Sequence, residues 1–123
     1  MAFHNKVGNW GEQVAAEYLI GKGYIVRDRN WRLGKLEIDI VAEKDGVLVV
    51  VEVKTRSTNF ADPILAITRR KRMNLVNAGV AYLRCTGINL GLRFDYILLE
   101  GNEMHYELEH LEDAIDTPTK FYR

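Results

Sequence analysis

Leu36-Glu37-Ile38-Asp39-Ile40 and Val47-Leu48-Val49-Val50-Val51-Glu52-Val53-Lys54 lie on either side of the dipeptide Asp45-Gly46. In the first segment Leu36, Ile38 and Ile40 alternate with Glu37 and Asp39, the period-2 pattern of a half-buried strand. Asp-Gly is a preferred centre for a two-residue type I′ turn, because both central residues must take positive φ. The run from Val47 to Val51 is apolar at every position and reads as a returning strand covered on both faces. A hairpin is therefore expected. With Asp45 and Gly46 as the loop, Lys44 faces Val47, and counting outward sets Asp39 opposite Glu52 and Glu37 opposite Lys54.

Like charges directly opposite each other, with Cβ atoms about 4.5–5.5 Å apart, destabilise a sheet. Something must offset the repulsion between Asp39 and Glu52. A hard divalent cation does so well, since Mg²⁺ takes oxygen ligands and commonly uses one or two carboxylates. Asp39 and Glu52 are thus candidate ligands for Mg²⁺ or Mn²⁺. Lys54 shares a face with Glu52 and would place an ammonium beside charge developing on a phosphoryl group. The bland alternative is a solvated hairpin face with a Glu37–Lys54 ion pair. It is weakened by the doubly apolar strand, because carboxylates taken out of water need a partner or a metal.

Outward from the hairpin, Gly11, Val14, Ala15, Tyr18 and Leu19 share one side of a helix expected from Asn9, which Gly21-Lys22-Gly23 ends. Tyr24 to Arg29 begins a strand. Asp62-Pro63 resembles an N-cap with proline at the first helical position, opening a long helix through Ile64, Ile67, Leu75, Ala78 and Tyr82 to about Leu83. Two further strands, Arg93 to Leu99 and Met104 to Leu108, flank Gly101-Asn102. The expected order is α-β-β-β-α-β-β, an α/β fold with a mixed central β-sheet flanked by helices.

The chain has 123 residues with 17 basic and 17 acidic side chains. That length fits one domain, 1–123, with a short C-terminal tail from about Glu109. Zero net charge argues against broad electrostatic binding of nucleic acid, while leaving room for a local basic surface. Arg69-Arg70-Lys71-Arg72 spans slightly more than a helical turn, so its side chains cannot all face one way. Only Lys71 lies on the line of Ile67, Leu75 and Ala78, where it can reach a groove and a phosphate. Arg56 and Arg32 are further candidate phosphate contacts. Trp10 and Trp31 read as packing residues, and Arg93 with Asp95 as a structural ion pair.

One cysteine, Cys85, permits no internal disulfide and reads as a small buried residue, so a reducing cytoplasmic setting is expected. His4, His105 and His110 have no metal-site spacing. The longest apolar run is far too short to cross a bilayer.

Glu37-x-Asp39 followed by Glu52-x-Lys54 resembles the catalytic core of the PD-(D/E)xK nucleases. Gly11-Glu12, Asn30-Trp31-Arg32, Glu37-Ile38-Asp39-Ile40-Val41, Val51-Glu52-Val53-Lys54-Thr55-Arg56, Lys71 and Arg93-Phe94-Asp95 together resemble the UPF0102 family, predicted endonucleases similar to archaeal Holliday-junction resolvases. The resemblance runs from about Asn5 to Leu99. It implies a restriction-endonuclease-like fold and metal-dependent hydrolysis of DNA, with branched or distorted DNA a candidate substrate and RNA left open. It also implies Asp39 and Glu52 as metal ligands, Lys54 as the catalytic lysine, Glu12 as an accessory acid, and Glu37 as part of the Glu-x-Asp element. From the helix alone Glu12 lies on the border of the buried stripe, where an exposed acid is the ordinary reading. Leu36 stands where the family usually has glycine. Because resolvase-like nucleases address two strands, a homodimer is a reasonable expectation. The competing functional class is a non-catalytic nucleic-acid-binding domain on the same fold.

Overall fold

Asp45 (φ 52°) and Gly46 (φ 77°) both adopt the left-handed backbone, and Lys44 pairs with Val47, as a two-residue hairpin requires. The computed structural model describes residues 2–56 and 68–115, with side chains from Trp10 onward. Its elements are α1 (Ala2–Gly21), β1 (Ile25–Leu33), β2 (Leu36–Lys44), β3 (Val47–Arg56), α2 (Arg69–Thr86), β4 (Gly91–Asn102) and β5 (His105–Leu111). They form a five-stranded sheet in the order β1-β2-β3-β4-β5. Only β3 and β4 are parallel, and the connection between them carries α2. The sheet is mixed and the element order is the expected one, consistent with a restriction-endonuclease-like fold.

The two helices cover opposite faces. Ala15, Ala16 and Leu19 of α1 pack on Ile40, Ala42, Val49, Val51, Ile97 and Leu99. Leu75, Val76, Ala78 and Tyr82 of α2 pack on Ile38, Val41, Leu48, Val50, Phe94 and Tyr96. Both tryptophans pack as expected: Trp31 meets Tyr82 edge-on at 5.2 Å, and Trp10 lies 5.7 Å from Tyr106.

Several boundaries differ from the sequence expectation. Helix α1 reaches back to Ala2 rather than starting at Asn9. Helix α2 starts at Arg69 behind Thr68, whose extended backbone and side-chain oxygen, accepting from Lys71 N–H, make it the N-cap. A helix unbroken from Asp62 is therefore excluded, while Asp62, Pro63, Ile64 and Ile67 lie outside the described residues. Strand β5 extends to Leu111, so Glu109 belongs to the sheet. Beyond it Ala114 N–H donates to Phe94 O (2.7 Å) and Ile115 is buried in the α2 core, so no tail begins at 109. Cys85 is exposed, not buried.

One departure bears on function. The pattern places Leu36, Ile38 and Ile40 on one face, yet Leu36 and Ile38 join the core under α2 and Ile40 the core under α1. The alternation therefore reverses at Asp39. On β1, between the pairs Arg29↔Ile40 and Trp31↔Ile38, Asn30 has φ 54°, a left-handed conformation that asparagine tolerates better than most residues. Ile38 and Asp39 thus both lie on the α2 side, Ile38 in its core and Asp39 beside Lys71, Asn74 and Leu75.

Gly11 sets how closely α1 approaches the sheet. A Cβ there would run into Thr55 Cγ2 and come within 3.4 Å of Leu99 Cδ1. Alanine raises helix propensity by up to about 1 kcal/mol, but overpacking a close contact costs about 1–3 kcal/mol. Gly11→Ala is expected to lower stability by about 1–2 kcal/mol in urea unfolding. An unchanged midpoint would mean that α1 is not held this close.

Candidate active site

The β2–β3 ladder follows the expected register from Lys44↔Val47 to Ile40↔Val51 and ends there. The strands then part. Val53 N–H donates to Asp39 Oδ2 (2.8 Å), so a side-chain carboxylate takes a hydrogen bond that a strand carbonyl would otherwise accept. Asp39 and Glu52 therefore come together where the ladder opens, not as a closed cross-strand pair. Glu37 is not opposite Lys54. Its register partner is Arg32 on β1, and their side chains form an exposed ion pair (3.3 Å).

The opening is a cavity of about 180 Å³ lined by Lys35, Glu37, Asp39 and Glu52 from the strand side, and by Lys71, Asn74 and Leu75 from α2. Three of the five predicted catalytic residues line it. Burial, followed by the charge of Glu52, raises the Asp39 carboxyl to about 7, and the Val53 N–H only partly offsets this. Glu12 comes from the α1 side, close enough for its charge to reach Asp39, Glu37 and Glu52. Burial raises its pKa against the opposing effects of an Asn30 hydrogen bond and the Arg29 charge. Its Oε1 is buried without a hydrogen-bond partner. Such an oxygen requires a proton, a water or a cation.

Lys71 lines the cavity, as its place on the helix predicts, whereas Lys54 does not. Lys71 Nζ lies 2.7 Å from Glu52 Oε2. That hydrogen bond, ahead of the cost of burial, raises the pKa of Lys71. Lys54 is exposed two residues beyond Glu52 and is not among the residues lining the cavity. Arg56, expected on phosphate, lies 3.7 Å from Glu100 Oε2 across β3 and β4.

Sequence reasoning missed three participants. Asn74 follows Lys71 at helical spacing and could have been found by extending that line by one turn. Asn30 lowers the pKa of Glu12 across the α1–β1 boundary, a relation that no local pattern signals. Tyr96 sits beside Glu52 in the parallel register, its buried hydroxyl unpartnered, and burial followed by the Glu52 charge pushes its pKa up to about 12. Lys35, just ahead of the acidic strand, also lines the cavity.

The donor set suits a hard cation. Asp39 and Glu52 offer oxygens, and an orphaned carboxylate oxygen of Glu12 is nearby. A volume of 180 Å³ leaves room for several waters at about 30 Å³ each. Among the described residues no three His, Cys, Asp or Glu side chains form a ready-made metal cluster. The carboxylate oxygens of Asp39 and Glu52 suit Mg²⁺, which binds through one or two carboxylates and keeps its waters, better than zinc, which takes closed nitrogen and sulfur shells. Among the described residues no helix is long and apolar enough to cross a membrane.

Residues 11–99 match the model of an uncharacterised protein family, UPF0102. A UPF0102 protein of Phocaeicola vulgatus is 47% identical, covering 96% of this chain and 98% of that protein. The corresponding figures for one of Bacteroides thetaiotaomicron are 44%, 96% and 98%. A UPF0102 protein of Flavobacterium psychrophilum is 41% identical over 93% of this chain and 97% of its own length.

Proposed function

The chain belongs to the UPF0102 family, and from that premise we propose that it is a divalent-cation-dependent endonuclease hydrolysing phosphodiester bonds in DNA. The observation that carries the reading is the meeting of Asp39, Glu52 and Glu37 in one cavity, with Glu12 outside its lining but near enough for its charge to act on Asp39. Carboxylates crowded this way cost stability unless a cation neutralises them. Branched or distorted DNA is the preferred substrate class, with Mg²⁺ or Mn²⁺ as cofactor and the cytoplasm as the site of action.

Asp39 and Glu52 would hold the cation. Once bound, the cation lowers the pKa of a water and polarises a phosphoryl oxygen. The rest falls to the chain. The Val53 N–H fixes the orientation of Asp39, so its carboxylate need not reorganise when substrate arrives. Glu12, whose charge acts on Asp39, can accept a proton at its buried Oε1. Lys71 and Lys54 supply positive charge to the phosphate, Lys71 from the cavity wall and Lys54 from the exposed end of β3. Arg32, beside Glu37 at the cavity edge, offers a further contact to the nucleic-acid backbone.

The test is incubation of purified protein with labelled single-stranded, duplex, flap and four-way-junction DNA in Mn²⁺, Mg²⁺ and EDTA, beside Glu52→Ala and Lys54→Ala. Cleavage that needs metal and is lost with Glu52→Ala is the expected result. Because Lys54 lies off the cavity lining, its substitution is expected to slow cleavage less than that of Glu52. Salt-dependent binding by all three proteins without cleavage would instead support the non-catalytic binding domain.

A further inference from the structure

Lys71 is anchored at its backbone and holds Glu52 at its tip. Its N–H is fixed by the Thr68 cap in the first turn of α2, while its side chain is 53% exposed and its ammonium bonds Glu52 Oε2. Glu52 is only 16% exposed. The same cavity contains Asp39, whose charge, with those of Glu52 and Glu37, acts on the ammonium. The ammonium therefore supplies the charge the acids require, but only one unit of it, and on a flexible stem. A divalent cation carries twice that charge to the same oxygens.

The geometry points to two successive uses of Lys71: in the cation-free protein its ammonium takes the place on Glu52 that a divalent cation occupies on binding, and its displacement frees it for a substrate phosphate. The inference rests on the proposed cation site and adds its regulation. The lysine side of the pair is 53% exposed, so a cation arriving from solvent can reach Glu52 and displace the ammonium. The displaced ammonium stays within a side chain's reach of the cavity because the Thr68 cap holds the backbone of Lys71. Binding of the cation thereby converts an acid-bound lysine into a phosphate-seeking one, which discourages tight substrate binding before the metal is in place.

The experiment is a Mn²⁺ titration without DNA, read from the electron paramagnetic resonance signal of free Mn²⁺. It compares wild type, Lys71→Ala, Lys71→Arg and Glu52→Gln, each first shown to be folded by its thermal melt. Removing the competing ammonium is expected to tighten Mn²⁺ binding about three- to tenfold. Lys71→Arg, which keeps the ion pair, should stay near or below wild-type affinity. If wild type binds Mn²⁺ through Glu52 and Lys71→Ala binds no more tightly, the displacement is overturned and the cation site stands. If neither protein shows binding that Glu52→Gln removes, the cation site falls and takes the displacement with it.

Discussion

Asp39→Asn is expected to reduce cleavage by more than about a hundredfold and, in EDTA at pH 8, to make the fold more stable by roughly 1–3 kcal/mol. The two effects have one origin. Burial and Glu52 raise the Asp39 carboxyl to about 7, far above its ordinary value of 3.8. The folded protein therefore holds this proton more tightly than the unfolded chain. Stability associated with the protonated form is fully present below about 3.8 and is lost as pH rises through 7. Asparagine keeps an acceptor for Val53 N–H and carries no charge, so it escapes that loss.

The advantage of the variant should be largest at pH 8 and narrower at pH 5. Saturating Mn²⁺ should reverse the order, because only wild type gains stability through the bound cation. Urea unfolding at both pH values, with and without Mn²⁺, measures this. A variant less stable than wild type at pH 8 in EDTA would show that Asp39 is a structural acid and remove the main electrostatic argument for a site.

The hairpin was legible because its cause is local. Asp45-Gly46 fixes a turn, the turn fixes the register, and the register holds from Lys44↔Val47 to Ile40↔Val51. The acids were legible by the same count. What failed was the extrapolation past Ile40, because alternation assumes an unbroken pleat, whereas the β2–β3 ladder ends at Ile40↔Val51 and Ile38 and Ile40 enter different cores. Nothing in Leu36-Glu37-Ile38-Asp39-Ile40 records that Ile38 and Ile40 serve different cores. The partner of Lys71 was equally hidden, since helical counting gives the face of a side chain and not the acid it meets. Thr68 was overlooked as a cap because Asp62-Pro63 offered a stronger local signal upstream.

The largest loss of stability is expected at a residue outside the cavity. Asp95 has a fully buried side chain, yet its carboxylate is saturated: Arg93 donates through Nε to Oδ1 (2.9 Å) and through Nη2 to Oδ2 (2.7 Å), His110 Nε2 lies 2.8 Å from Oδ2, and Asp113 N–H donates to Oδ1 (3.0 Å). Tyr24 OH accepts from Arg93, and Tyr18 OH meets His110 Nδ1, which ties α1 and its following turn to β4 and β5. Burial would raise the Asp95 pKa, but the bonds from His110, Arg93 and Asp113 outweigh it and hold the carboxyl below its usual value.

Asp95→Ala leaves the Arg93 guanidinium, with a side chain only 24% exposed, facing an emptied site. Breaking one partner of a buried pair costs about 3–5 kcal/mol. For a domain of this size that lowers Tm by roughly 10–20 °C. The pH dependence should run opposite to that of Asp39: the stability Asp95 provides is present above about 3.8 and is lost only as pH falls through its depressed folded value. The difference in Tm between variant and wild type should therefore hold from pH 8 to pH 5. A difference that vanishes by pH 5, or a Tm within about 3 °C of wild type, would mean that the network contributes nothing net. The two aspartates thus separate two uses of burial. Asp95 is surrounded by donors that satisfy its carboxylate, whereas Asp39 is crowded by acids and left short of compensation, the condition under which binding a cation releases the most free energy.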